Sequence, residues 1–342
     1  MSEPNDNRQH HRLELRVNVA EPLGLPGRVE IAATAHFPNR SALHEAPVVI
    51  FGVPGGGYSR GYYDMRFPGH SGYSEAEFHV GRGCIFVRCD PLGVGDSTLP
   101  EPSSITFELL AATFDAAVRE IVARIERGSL SPLLPPIAGL TSVGIGQSMG
   151  GKICVLTQGR HRTFHAIGVL GASAIHTVLP QRTQAARESS IQGHLQKRGT
   201  EVSSTTIAES SRSIPDFLYP FHWEDEPPDI IEADMRGGYP LRRSPPPPFG
   251  SVTIPPCAVT MMSPGSIAEE AAAVDVPVLV GVGERDVCPK PLQEPQAYAR
   301  ANDVSVYIVP RMAHMHNFAS TRGLLWNRID AWAHRVAATA RG

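Results

Sequence analysis

Ser148, Asp286 and His314 are the residues whose types and settings best fit nucleophilic chemistry. Ser148 is the centre of Gly146-Gln147-Ser148-Met149-Gly150, which reads G-x-S-x-G. An apolar run with β-branched residues (140–145) precedes it, and a segment able to continue as a helix (151–156) follows. Strand, tight turn and helix with serine at the apex make a nucleophile elbow. The glycines suit a strained turn in which a Cβ would strike the neighbouring backbone. A Gly-rich turn whose serine only bonds the backbone fits the pentapeptide equally well, so the rest of the chain has to decide.

Four further features fall after strand-like runs, where open α/β sheets place their sites. Pro54-Gly55-Gly56-Gly57-Tyr58 follows the run 47–53. Its backbone N–H groups are free of side chains and suit a developing oxyanion, with Gly56 the first choice and Gly57 the reserve. The N–H of Met149, directly after the serine, is the second donor. Asp90–Ser97 follows the run 84–89 and reads as a structural turn, with Asp90 in a hydrogen-bonding role. Gly283-Glu284-Arg285-Asp286 follows the run 276–282, where a carboxylate could orient a histidine and stabilise its imidazolium. Asp286 is preferred and Glu284 is the alternative. His314 follows the run 304–309 and can reach over the sheet toward Ser148, with His316 as its rival. The order serine, acid, histidine is that of α/β-hydrolases.

These segments together resemble the α/β-hydrolase superfamily, over about residues 28–175 and 264–340. The resemblance implies an α/β-hydrolase fold, with a mostly parallel central sheet flanked by helices and an inserted cap domain. It implies a Ser148–His314–Asp286 triad, with Gly56 and Met149 as oxyanion donors. It also sets the chain apart from the dehalogenase branch, which uses aspartate as nucleophile. Many members have His-Gly where this chain has Pro54-Gly55, so the choice between Gly56 and Gly57 stays open.

The periodicity supplies elements able to position such a site. Residues 13–19 and 29–37 read as a leading strand pair, and 47–53, 84–89, 140–145, 166–170, 276–282 and 304–309 as buried strands. A short helix is expected within 71–80. Helical spacing of apolar residues predicts longer ones over 105–126, after Ser148, and over 321–336. Strands alternating with helices give a mostly parallel sheet covered on both faces. Residues 176–263 break that rhythm with a polar stretch (181–213), the aromatic run 217–223, an acidic run (224–226) and four prolines (245–248). A structureless loop of that length is unusual, so the segment is read as a cap. The domain reading is a polar tail over 1–12, a core over 13–175 and 264–342, and the cap over 176–263. Tyr58, Phe221 and Trp223 are candidate pocket residues; the aromatic run fits the cap's own small core equally well.

Composition bounds the rest. The chain has 342 residues and a net charge of −3, which gives no field for nucleic acid or an anionic membrane. No apolar run is long enough to span a bilayer, and residues 1–12 lack an apolar signal core. The five cysteines are odd in number and form no C-x-x-C, and Cys84, Cys89 and Cys154 sit in apolar runs, which favours buried thiols in a reducing cytoplasm over a disulfide framework. No metal-type spacing stands out, since His314 and His316 find no third ligand. The expectation is a cytoplasmic hydrolase acting on a bulky, apolar ester or lactone through an acyl-enzyme. It needs a small-molecule substrate and no cofactor, metal, nucleic acid or membrane, and it leaves a homo-oligomer open. The alternatives are an acyltransferase or C–C bond hydrolase on the same scaffold, or a non-catalytic ligand-binding relative.

Overall fold

In the computed structural model, residues 10–44, 46–192, 197–239 and 242–339 are described. Eight strands form one sheet in the order β1-β2-β4-β3-β5-β6-β7-β8. They are β1 (His10–Asn18), β2 (Glu30–Pro38), β3 (Val48–Val53), β4 (Ile85–Cys89), β5 (Thr141–Gln147), β6 (Ala166–Leu170), β7 (Val278–Gly283) and β8 (Val304–Val309). β2 pairs antiparallel with both β1 and β4, and every pairing from β4 to β8 is parallel. The parallel strands are continuous apolar runs because both faces are covered.

Alternate residues of each strand feed two cores. Val49, Phe51, Val280 and Val282 face one layer, with Leu110, Phe114 and Ile121 of the helix Phe107–Glu126 and Ile153 of the helix Met149–His161. Val48, Ile50, Val143 and Leu279 face the other, with Ile329 and Trp332 of the helix Arg322–Thr339. The helix Phe107–Glu126 starts where the Thr106 hydroxyl accepts from the Leu109 N–H at 3.1 Å, a capping bond that satisfies an orphan donor.

The sequence reading is corrected at the N-terminus. Residues 1–9 of the expected polar tail lie outside the described residues, but His10–Arg12 already belong to β1. An edge strand tolerates such polar residues because one side meets solvent. His11 Nε2 lies 2.8 Å from the Asn39 side chain, and His10 stacks on His36. The expected turn at Asp90 is a tight knot. The buried carboxylate accepts from the backbone N–H groups of Arg60 and Asp96 at 2.5 and 3.0 Å and pairs with the Arg60 guanidinium. All five cysteines are free and buried.

Between β6 and Gly265 the chain forms helices over Gln184–Gln192, Ser204–Arg212, Leu218–Phe221, Pro228–Met235 and Ala258–Met261, and a further helix, Ala268–Ala273, leads into β7. The ends of this excursion meet where the Gly265 N–H donates to the Ile175 carbonyl at 2.9 Å. Among the described residues, no helix is long and apolar enough to cross a membrane.

Candidate active site

Ser148 stands between the end of β5 and the helix that begins at Met149. Its backbone takes φ 55° and ψ −116°, a strained conformation for a side chain with Cβ. The turn can close this tightly because of its glycines. A Cβ on Gly146 would lie 2.1 Å from the Gly150 carbonyl, and one on Gly150 would lie 2.0 Å from the Val53 oxygen. Strain held by such packing fixes where Oγ stands.

His314 and Asp286 reach the serine from the loops after β8 and β7. His314 Nε2 is 3.0 Å from Ser148 Oγ, and His314 Nδ1 is 2.6 Å from Asp286 Oδ1. The other Asp286 oxygen is 2.7 Å from His316 Nε2. The rival histidine therefore faces the same acid and not the serine. Two backbone N–H groups, Gly283 and Val287, also donate to Asp286, at 2.9 and 2.7 Å. Burial acts to raise the Asp286 carboxyl. His316 and His314, by charge and hydrogen bonding, outweigh it and hold the group well below the usual carboxylate range. The reserve acid, Glu284, accepts from the Arg311 N–H at 2.9 Å.

The histidine loop is fixed from two sides. Gln147 Nε2 donates to the His314 carbonyl at 2.8 Å. From the excursion, the Pro220 carbonyl accepts from His314 N–H at 2.9 Å, and the Phe221 carbonyl accepts from Met315 N–H at 3.0 Å. The Phe221 ring lies 5.4 Å from the His314 ring. Sequence reasoning missed Gln147, although its place before the serine was the available signal.

Ser148, His314, Gly56 and Met149 all line one cavity of about 130 Å³. Met149 is the first residue of its helix, so its N–H has no intrahelical acceptor. The loop after β3 packs tightly under the serine, since a Cβ on Gly55 would lie 2.3 Å from Gln147 Oε1. Gly57 has φ 81°, and its carbonyl accepts from Ser251 N–H and Arg242 Nε. Gly57 is not among the residues lining the cavity. The remaining walls are mostly apolar and include Leu179, Ile207, Ile214, Phe217, Phe221, Tyr239 and Ile254.

Two pocket assignments are corrected. Tyr58 is fully buried and lies outside the cavity lining. Its hydroxyl donates to Asp234 at 2.7 Å, which draws the ring in among Tyr62, Phe249 and Phe318. Trp223 also lies outside the lining, with the Arg285 guanidinium 4.5 Å from its ring centre. Phe221 does line the cavity. Tyr239, which the sequence did not single out, lines it too and donates its hydroxyl to the Gly56 carbonyl at 3.3 Å.

No protein-family model matches the sequence, and no curated protein matches it. Solved structures do match along the whole chain. A thermophilic esterase from Thermogutta terrifontis is 16% identical with a TM-score of 0.59, over 96% of this chain and 99% of its own. A haloalkane dehalogenase variant from Bradyrhizobium elkanii is 14% identical with a TM-score of 0.59, over 97% and 99%. A proline iminopeptidase from Mycobacterium smegmatis is 14% identical with a TM-score of 0.54, over 96% and 100%. This chain has the α/β-hydrolase fold.

Proposed function

We propose that the protein is a serine hydrolase that cleaves a carboxylic ester or lactone through an acyl-enzyme. The observation that supports this most is the run of contacts from Ser148 Oγ to His314 at 3.0 Å and on to Asp286 at 2.6 Å, opening on a largely apolar cavity. The esterase among the structural neighbours is consistent with it. His314 takes the Ser148 proton as Oγ attacks the carbonyl carbon, then gives it to the leaving alcohol. Asp286 holds the imidazole tautomer and stabilises the imidazolium. The Gly56 and Met149 N–H groups donate to the oxyanion, each worth about 3–4 kcal/mol of barrier. Water then enters by the same route and releases the acid. Residues 176–263 act as a cap whose apolar side chains select the substrate.

The test is hydrolysis of a panel of neutral aryl esters of increasing acyl length. Ser148→Ala and His314→Ala are expected to lower kcat/KM by about 10⁴-fold or more. His316→Ala is expected to keep most of the activity, because His316 touches the acid and not the nucleophile. Equal activity in Ser148→Ala and wild type would end this reading.

A further inference from the structure

One stretch of the cavity wall is not apolar. Lys152 lines it, one helical turn after Ser148 on the helix Met149–His161, and is 4% exposed. Among the described residues, the Met261 carbonyl is the one hydrogen-bond partner of its Nζ, and no carboxylate forms an ion pair with it. An ammonium carries three donors, so two remain unspent in a place shut off from bulk water. Thr177 lines the same cavity, and its buried hydroxyl has no partner among the described residues.

The surroundings do not use up these groups. Glu294 lies near enough to act on Lys152 through space. Its carboxylate is already bonded to the Ser173 hydroxyl at 2.5 Å and the Ala174 N–H at 2.9 Å. The Ser211 hydroxyl donates to the carbonyls of Ile207 and Ala208 at 2.8 and 3.0 Å. Burial pushes the Lys152 amine down to about 7, against the pull of Glu294 and Cys288. His176 is itself held below its ordinary value by burial and by the cations Lys152 and Arg187. A buried cation without a counter-charge is costly, and an anion placed beside it removes that cost.

We propose that Lys152 and Thr177 form a carboxylate-binding subsite in the cavity, so that the preferred substrate is an ester carrying a second, ionised carboxylate. A carboxylate only accepts hydrogen bonds, which matches two unspent ammonium donors and a free hydroxyl. The apolar walls then hold the carbon chain between the reacting carbonyl and that anion. The proposal rests on the serine-hydrolase reading above.

The experiment compares charged esters with neutral isosteres near pH 6, where Lys152 is protonated. One arm places the carboxylate on the acyl side, with para-nitrophenyl hydrogen adipate against its primary amide. The other places it on the alcohol side, with para-acetoxybenzoate against para-acetoxybenzamide. In one arm, wild type is expected to favour the charged ester at least 10-fold in kcat/KM. Lys152→Met should cut that ratio 10-fold or more, through KM. The Met261 carbonyl keeps the Ser266 hydroxyl at 2.8 Å in this variant, and its melting temperature reports whether it folds. Ser148-dependent hydrolysis with no charge preference in either arm would overturn the subsite and leave the hydrolase reading standing. If no ester is turned over, calorimetry with adipate separates the two ideas. Adipate binding to wild type and not to Lys152→Met supports the subsite, and equal or absent binding overturns it.

Discussion

Asp286 and Asp234 make an instructive pair. Neither side chain is exposed, and each is bonded to a histidine. Asp286 meets His314 and His316, two groups that gain or lose charge with their protons. Asp234 meets the permanent cation of Arg242 at 2.6 Å, His222 at 3.0 Å and the Tyr58 hydroxyl at 2.7 Å. The difference extends to the far side of each imidazole. The second nitrogen of His314 faces Ser148 Oγ, whereas the second nitrogen of His222 faces Glu226 at 2.6 Å. Burial acts to lower His222, but Asp234 and Glu226 together raise it to about 9. His222 is therefore an imidazolium with nothing to receive a proton from. His314 instead has a hydroxyl on its far side and an anion behind it that can stabilise an imidazolium. An aspartate–histidine pair becomes a candidate for catalysis through its third member.

The same substitution at the two sites separates the roles most sharply. Asp286→Asn is expected to cost about 10³–10⁴-fold in kcat/KM, by loss of tautomer control and imidazolium stabilisation. Asp234→Asn is expected to cost about 3–5 kcal/mol of stability, because it leaves the buried Arg242 charge uncompensated. Turnover per folded molecule should survive that change far better. Kinetics on each variant, with denaturant unfolding alongside, reads both effects. Equal activity losses at the two sites would break the comparison.

A smaller effect follows from His222. Its folded pKa of about 9 exceeds the unfolded value of 6.5, so its contribution to stability is fully present below about 6.5. It is lost as pH rises through about 9. Lys152 acts in the opposite sense. Its folded value of about 7 lies below the unfolded 10.5, so the cost of burying its charge is relieved as pH rises above about 7. The His222 contribution is therefore read as the stability of wild type minus that of His222→Gln, in which Lys152 cancels. That difference should shrink by a few kcal/mol between pH 6 and 9. A difference that stays flat or grows would place the His222 proton elsewhere.

The elbow at Ser148 was legible because its signal is local. Glycines at fixed offsets and a β-branched run before them are short-range facts, and the fold converts them into the strained φ of Ser148. Asp286 and His314 were legible as residues after strands, since parallel sheets gather those ends. His314 was preferred with His316 as its rival, since the two stand two residues apart in one loop; in the fold both bond the same carboxylate and His314 alone of the pair faces Ser148. Tyr58 and Trp223 were misplaced because their partners, Asp234 and Arg285, lie far away in sequence. Local aromatic content says nothing of such pairs. The same holds for His79, Cys84 and Asp330, whose ligand-type atoms come within 4.8 Å of one another from two helices and the turn just before β4. No spacing in the chain announces that group. Residues 10–12 were read as tail from their polarity, which an edge strand accommodates.

Intact-protein mass spectrometry after treatment with a fluorophosphonate tests the central claim most directly, because it reads the nucleophile without any choice of substrate. A single phosphonyl adduct is expected on wild type, mapped by digestion to Ser148, strongly slowed in His314→Ala and absent from Ser148→Ala. No adduct on wild type, or an equal adduct on Ser148→Ala, would contradict it.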